Sequence, residues 1–172
     1  RNVPDDVLDL LASNEGVLMV DYLPAYVSRE VWEWEAARRG ERARFESLHL
    51  GDPEGREAAM EAWTQAHPAP HATLAQVADH LDHVKQRIGA EHLGLGSDFD
   101  GMPVAPDGLS DVADVPDLLV ELLRRGWTDQ EVAGVAGGNV LRVMRAVEAE
   151  SARQASKPAS NVRITPVLAE PD

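Results

Sequence analysis

Two short, nearly continuous apolar runs divide the chain. They are Val17–Tyr22 and His92–Ser97, and such runs are typical of parallel strands that are covered on both faces. Between them, apolar residues recur at helical spacing after Thr73 and Gln76, which form a capping-box pattern. The sequence therefore predicts a helix over Thr73–Ile88. We expect it to connect two neighbouring parallel strands by a right-handed crossover.

Further helices are predicted on either side of the strands. Apolar stripes mark them at 4–16, 116–126 and 139–147, with glycine or proline at their boundaries. A second capping-box pattern, Thr128 to Glu131, predicts a short additional helix. The polar, proline-containing stretch 151–172 is predicted to be a C-terminal tail.

The order of strand, helix, strand and helix predicts an α/β fold with a parallel sheet. Residues 28–70 are rich in Glu, Arg and Ala and break near Gly51-Asp52-Pro53, which predicts an insertion of two helices. Two parallel strands cannot bury both of their faces alone. The rest of the sheet is therefore expected to come from elsewhere.

Charge and composition exclude several classes of function. Thirty acidic residues against sixteen basic ones give a formal net charge of −14, which argues against a nucleic-acid or membrane partner. The chain has no cysteine, so disulfides and thiolate zinc sites are excluded. No apolar run approaches the ~18 residues of a membrane span, and neither a signal peptide nor a hydrophobic C-terminal tail is seen. These features favour a cytoplasmic location.

Asp98 is the first candidate for chemistry because it directly follows the second apolar run. Active sites of α/β barrels lie at the C-terminal ends of strands. A carboxylate at that place can bind a metal, accept a proton or anchor an ammonium group. Spacing alone also allows Asp98 to cap the following turn. For Asp100 it favours an Asx-turn that closes on Gly101.

His80 and His83 lie three residues apart on the predicted helix, a spacing at which two imidazoles can bind zinc. The helix offers no third ligand at useful spacing. It also precedes a strand, which predicts a position away from the catalytic edge of the sheet. A structural role is therefore favoured for both histidines, and no metal ligand is predicted in this chain.

Several longer segments resemble the membrane (renal-type) dipeptidase family. They are Arg1–Asp6, Val77–His83, Gly96–Gly101, Pro116–Trp127 and Gly138–Val143, in matching order and spacing. The resemblance covers about Arg1 to Val147, and the 28–70 insertion is similar to the longer insertion of bacterial members. It implies that residues 1–150 are the C-terminal portion of a TIM-type (β/α)8 barrel. A closed barrel needs about 250 residues, so a barrel built from these 172 residues is incomplete.

The resemblance also implies a chemistry, that of a zinc-dependent dipeptidase with two zinc ions that polarise the scissile carbonyl. Arg1 matches an arginine that holds the terminal carboxylate of the substrate. Asp98 matches an aspartate near the bridging water and the amino end of the substrate, which makes it the candidate proton carrier. Tyr26 matches a tyrosine that lines the pocket. The implied substrate-binding residues are thus Arg1, Tyr26 and Asp98, with Asp98 also catalytic.

The family's metal ligands are an early His-x-Asp, a bridging Glu and two later His, and all belong before Arg1. We therefore expect a missing N-terminal half, on the same polypeptide or on a companion chain. Alone, this chain is expected to be inactive and to form homo-oligomers through its open sheet edge. The alternative is a catalytically inactive, dipeptidase-like remnant that serves as a binding or interaction module. Retention of Arg1, Tyr26 and Asp98 favours the enzyme.

Overall fold

The computed structural model describes residues 2–157 and has a mixed α/β architecture. Its strands are β1 (Leu18–Asp21) and β2 (Leu93–Ser97). Its α-helices are α1 (Asp5–Ser13), α2 (Pro24–Val27), α3 (Arg29–Leu48), α4 (Pro53–Ala66), α5 (Leu74–Ile88), α6 (Val115–Arg124), α7 (Asp129–Ala133) and α8 (Asn139–Gln154). Among residues 2–157, no helix is long and apolar enough to cross a membrane.

The two strands form a parallel pair. Leu18 lies opposite Leu93, and Asp21 lies opposite Ser97. Helix α5 lies between them in the sequence and packs against both strands. The predicted parallel neighbours and connecting helix are therefore confirmed, and each strand begins one residue later than predicted. The α/β class is confirmed as well, whereas closure of the sheet into a barrel stays a prediction.

The strands approach each other most tightly at Gly96. Their register shifts between Val20 and Asp21, so Gly96 has no partner of its own in the ladder. A Cβ atom on Gly96 would lie 2.9 Å from the carbonyl oxygen of Val20. Only glycine fits here, because the atoms that a Cβ would meet belong to the backbone of β1 and cannot rotate away. The irregularity lies where β2 ends, and such bulges redirect the side chains that follow them.

Helix α5 supplies the centre of the hydrophobic core. Its buried residues share one cluster with β2, α6 and the residues after α6. The members from these elements are Val77, Ala78, Leu81, Val84, Leu93, Leu118, Leu122 and Trp127. The predicted capping box is present, since the Thr73 backbone N–H donates to Gln76 Oε1 at 2.9 Å and the Gln76 N–H donates to Thr73 Oγ1 at 3.3 Å. The box at Thr128 is also confirmed.

A polar cluster fastens α5 to the end of α6. Arg125 donates to Asp79 at 2.7 Å, to Asp82 at 2.8 Å and to Glu121 at 2.8 Å. The indole N–H of Trp127 donates to Asp82 at 2.7 Å. The cluster joins two segments that carry the family resemblance, Val77–His83 and Pro116–Trp127. The contacts between α5 and α6 give these polar residues a structural role.

The 28–70 stretch contains the predicted pair of helices, α3 and α4. Asp52 begins α4 as its N-cap, accepting from the Gly55 N–H at 2.9 Å, at the break that was predicted. The two helices are held together by aromatic residues. Trp34 and Trp63 lie with ring centroids 6.0 Å apart, and the Trp34 indole N–H donates to the His67 carbonyl at 2.8 Å. A position of this hairpin on a barrel rim stays a prediction.

The last helix is longer than its apolar stripe indicated. Helix α8 runs to Gln154 and so enters the stretch predicted as a tail. Its final turn is supported by the ion pair of Arg153 with Glu150, three residues apart. Residues 158–172 of the predicted tail lie outside the described residues. A π-helical turn over Gly134–Gly138, which periodicity did not indicate, precedes α8.

Asn139 anchors the start of α8 in the core. It is 9% exposed, and its side-chain amide donates to the carbonyls of Ala90 and Leu93, each at 2.8 Å. The carboxamide thereby connects α8 to the beginning of β2. The side chain fixes where the last helix meets the sheet.

We predict that Asn139→Ala lowers the free energy of unfolding by about 2–5 kcal/mol, because it leaves two carbonyls without their donor in a buried place. Asn14→Ala is the matched control, since Asn14 is exposed and accepts one local hydrogen bond from Gly16. It should cost less than about 1 kcal/mol. Thermal or chemical unfolding measures both. Equal losses for the two variants would contradict the anchoring role of Asn139.

Candidate active site

An open groove of about 660 Å³ runs along β1 and reaches Asp98, the residue that follows β2. Its wall includes two of the three residues that the sequence singled out, Tyr26 and Asp98. The remaining lining residues come from the segment before α1, from α1, β1, α2 and α5. They are Asn2, Val3, Leu8, Leu18, Met19, Val20, Asp21, Val27, Asp79, His80, His83 and Val84. The groove therefore combines an apolar floor with a few ionisable groups.

Asp98 stands on an unusual backbone. Ser97 has a φ of 53° and Asp98 a φ of 75°, both in the left-handed region that residues with a side chain rarely adopt. Such conformations persist only where the surrounding structure enforces them, and they cluster at functional sites. The observation favours a functional role for Asp98.

The turn after Asp98 does not use its carboxylate. The Gly101 N–H donates to the backbone carbonyl of Asp98 at 3.0 Å, and this bond closes the turn. The turn thus differs from the Asx-turn that was predicted to run from Asp100. Within residues 2–157, no hydrogen-bond donor contacts the Asp98 carboxylate. It is exposed and available to a bound molecule, which argues against the alternative of a turn cap.

Tyr26 lies on the short helix α2, which several polar contacts hold in place. Asp21 accepts from the Leu23 N–H at 2.7 Å where α2 begins. Where α2 ends, the side-chain amide of Asn2 donates to the Tyr26 carbonyl at 3.0 Å. The Tyr26 side chain is half-buried in the groove wall. It is thus positioned by both β1 and the segment that precedes α1.

Arg1 lies outside the described residues, so its contact with the carboxylate of a substrate stays a prediction. Its neighbours Asn2 and Val3 line the groove. Helix α1, which follows, is fastened to α5 by an ion pair. Arg87 on α5 binds Asp9 on α1 through two hydrogen bonds of 2.8 and 2.6 Å.

His80 and His83 line the same groove as Tyr26 and Asp98, and this groove follows β1 from Leu18 to Asp21. The expectation that both histidines lie away from the catalytic edge of the sheet stays a prediction. Burial lowers the pKa of His80, although a hydrogen bond with the Val27 backbone opposes this effect. His83 instead contacts the Asp5 carboxylate at 2.9 Å, which is the second ion pair with α1 when the ring is protonated.

The groove lacks the ligand set of a metal site among residues 2–157. Among residues 2–157, no three His, Asp or Glu side chains converge in a way that could hold a metal ion. His80 and His83 therefore lack the further ligands that a zinc site needs. The described residues do not fit a metal pair.

One buried group near the site was missed by the sequence interpretation. The hydroxyl of Tyr22 is fully buried, with no hydrogen-bond partner within residues 2–157, and burial raises its pKa to about 12. Its ring packs edge-on against Phe99, with centroids 5.7 Å apart. This contact holds the residue next to Asp98 against the end of β1. The sequence signal that could have indicated this contact is an aromatic residue near the end of each apolar run, Tyr22 in the first and Phe99 after the second.

The chain is similar to known dipeptidases. The sequence profile described as membrane dipeptidase (Peptidase family M19) matches residues 1–158. Dipeptidase aclJ of Aspergillus oryzae is 40% identical over 148 residues, which are 86% of this chain and 26% of that protein. Dipeptidase 3 of Rattus norvegicus is 37% identical over 147 residues, 86% of this chain and 22% of that protein.

The fold has a solved counterpart in the crystal structure of the probable dipeptidase PvdM from Pseudomonas aeruginosa. The two share a TM-score of 0.63 and 28% identity, over 83% of this chain and 40% of that one. The chain spans about a quarter of the length of the curated relatives it matches. By its sequence and its fold, the chain belongs to the membrane dipeptidase family, peptidase family M19.

Proposed function

We propose that this chain is the substrate-binding part of a metal-dependent dipeptidase. The observation that carries the proposal is Asp98, which lines the groove with Tyr26 on a left-handed backbone directly after β2. Its carboxylate accepts no hydrogen bond from residues 2–157. A carboxylate held in this way is suited to move a proton. The names of the relatives support a dipeptide as the substrate class.

The proposed roles divide the substrate between two ends of the groove. Asp98 carries a proton near the amino end of the dipeptide, where an ionised carboxylate also attracts the ammonium group. Arg1 binds the terminal carboxylate through its guanidinium fork. Tyr26 forms part of the wall between them. Each role needs only residues of this chain.

The metal is proposed to be zinc, held as a pair by side chains that are not among residues 2–157. Family membership supports a metal-dependent hydrolase. The described residues do not fit the ions, so their ligands would come from another segment of the polypeptide or from a companion chain. No step in the proposed roles above passes through the metal.

Two surface features support the proposal that further structure covers this chain. In the described part, β1 and β2 pair only with each other, so the outer edge of each strand is open. Helix α8 also exposes three apolar residues at helical spacing, Leu141, Met144 and Val147. Additional strands and helices of a TIM-type barrel would cover both, as proposed from the resemblance. The partial coverage of the solved dipeptidase is compatible with this arrangement.

A non-catalytic binding module is the second candidate. It is favoured by the lack of a metal-binding group among residues 2–157. Strained backbone like that of Ser97-Asp98 occurs at ligand clamps as well as at active sites, so it fits either function, whereas the relatives named as dipeptidases favour the enzyme. The dipeptidase is therefore the function that the site supports best.

We predict that residues 1–172 produced alone hydrolyse no dipeptide and bind no zinc pair, because the described residues offer no such site. The open strand edges should lead to homo-oligomers. Light scattering, metal analysis and a dipeptidase assay test this, with the chain joined to the proposed further segment or companion chain as control. A cooperative, active monomer would contradict the proposal that a further segment completes the site.

In the complete enzyme, Asp98→Asn should reduce kcat by roughly 10²- to 10⁴-fold, because the amide keeps the shape but cannot carry the proton. Metal content should not change, since Asp98 is not proposed as a ligand. Asp100→Asn is the matched control, an exposed carboxylate two residues away, and should retain activity. Full activity of the Asp98→Asn enzyme with metals loaded would remove Asp98 from the mechanism.

Arg1→Ala should act on substrate capture. Loss of a charge-assisted hydrogen bond costs about 1.5–3 kcal/mol, which is roughly a 10- to 150-fold fall in kcat/KM. With a C-amidated dipeptide, which lacks the carboxylate, most of this effect should vanish, while that of Asp98→Asn should persist. Arg29→Ala, which removes an exposed arginine on α3, is the control. An equal fall with both substrates would argue against the role of Arg1.

A further inference from the structure

Gly101 faces the carboxyl group of Asp98 at very short range. A Cβ atom on Gly101 would lie 2.9 Å from both Cγ and Oδ2 of Asp98, and closer still to Oδ1. Real Cβ atoms essentially never approach other heavy atoms so closely. The carboxyl group therefore occupies the space that any other residue at position 101 would need.

The conformation of Gly101 itself does not require glycine. Within residues 2–157, the glycines with a left-handed φ are Gly51, Gly89, Gly108 and Gly126, and Gly101 is not among them. The Gly101 N–H closes the turn on the Asp98 carbonyl at 3.0 Å, and an alanine could make the same bond. The lack of a side chain at Gly101 therefore matters only because a side chain there would displace the Asp98 carboxyl group.

Asp98 can yield to a group at position 101 only by rotation of its side chain. Its left-handed φ of 75° fixes the direction of its Cα–Cβ bond. Only rotation about the side-chain bonds remains, and that rotation would carry the carboxylate away from its place in the groove wall. A methyl group at position 101 is thus expected to move the carboxylate rather than the backbone.

We infer that Gly101 is a positioning residue, which leaves open the one side-chain conformation in which Asp98 faces the substrate groove. The inference rests on the proposed role of Asp98 as proton carrier and adds to it a reason for the glycine in the Asp98-Phe99-Asp100-Gly101 motif. Misplacement of a reacting group by about 1 Å can cost 10²-fold in rate. The effect should therefore appear in turnover and not in stability.

The test uses Gly101→Ala in the complete enzyme. We expect kcat to fall by roughly 10- to 10²-fold, with KM and the unfolding midpoint close to those of the parent enzyme. Gly40→Ala is the matched control, because no atom lies within 4 Å of a Cβ at Gly40, and kcat should not change. A crystal structure of the Gly101→Ala enzyme should show the Asp98 carboxylate rotated out of its original position.

The double variant Asp98→Asn with Gly101→Ala separates positioning from other effects. If Gly101 acts through Asp98, the double variant should have the same kcat as the Asp98→Asn variant. Multiplied losses, or a lowered unfolding midpoint in Gly101→Ala, would overturn the inference in favour of an independent structural role. A displaced carboxylate with unchanged kcat would also overturn it. A fully active Asp98→Asn enzyme would instead remove the proposed function of Asp98.

Discussion

The close contact of β1 with β2 at Gly96 is the constraint on which the site depends. The Val20 carbonyl oxygen occupies the place of a side chain at position 96, so the strands pair with a one-residue shift at their ends. Asp21 is thereby placed opposite Ser97, and the chain leaves the sheet at Asp98 in a left-handed conformation. A slip of one residue would turn these side chains to the other face of the sheet.

Elements with strong local signals could be predicted from the sequence. The boxes at Thr73 and Thr128 were found because each depends on residues three positions apart. Both strands were found because an apolar run depends only on its own composition. The placement of Asp98 followed from the rule that links function to strand ends. Each of these features is fixed by neighbours in the sequence.

Features fixed by distant contacts could not be predicted in this way. His80 lies in the groove because α5 packs beside α2, and periodicity describes only which face of α5 is apolar. The strand irregularity at Gly96 depends on a backbone atom of another strand. The length of α8 was underestimated for a different reason, because its last turn carries a local ion pair of Arg153 with Glu150 and no apolar stripe. The burial of the Tyr22 hydroxyl, without a hydrogen-bond partner among residues 2–157, likewise depends on packing between distant segments.

The two ends of the proposed site are held by different forces. Near Asp98, the strands are locked by the backbone contact of Gly96 with Val20, while the Asp98 side chain lies against Gly101. The segment before α1 is held instead by exposed ion pairs with α5, which stabilise little in water, and by Leu8, which is 1% exposed.

The hydrogen bond from Asn2 to the Tyr26 carbonyl links that segment to α2. Shifts of α1 on its apolar contact would thus move Asn2 and α2 together. The Tyr26 side of the groove is therefore held through α1 and α5, whereas the Asp98 side is held by the pairing of β1 with β2.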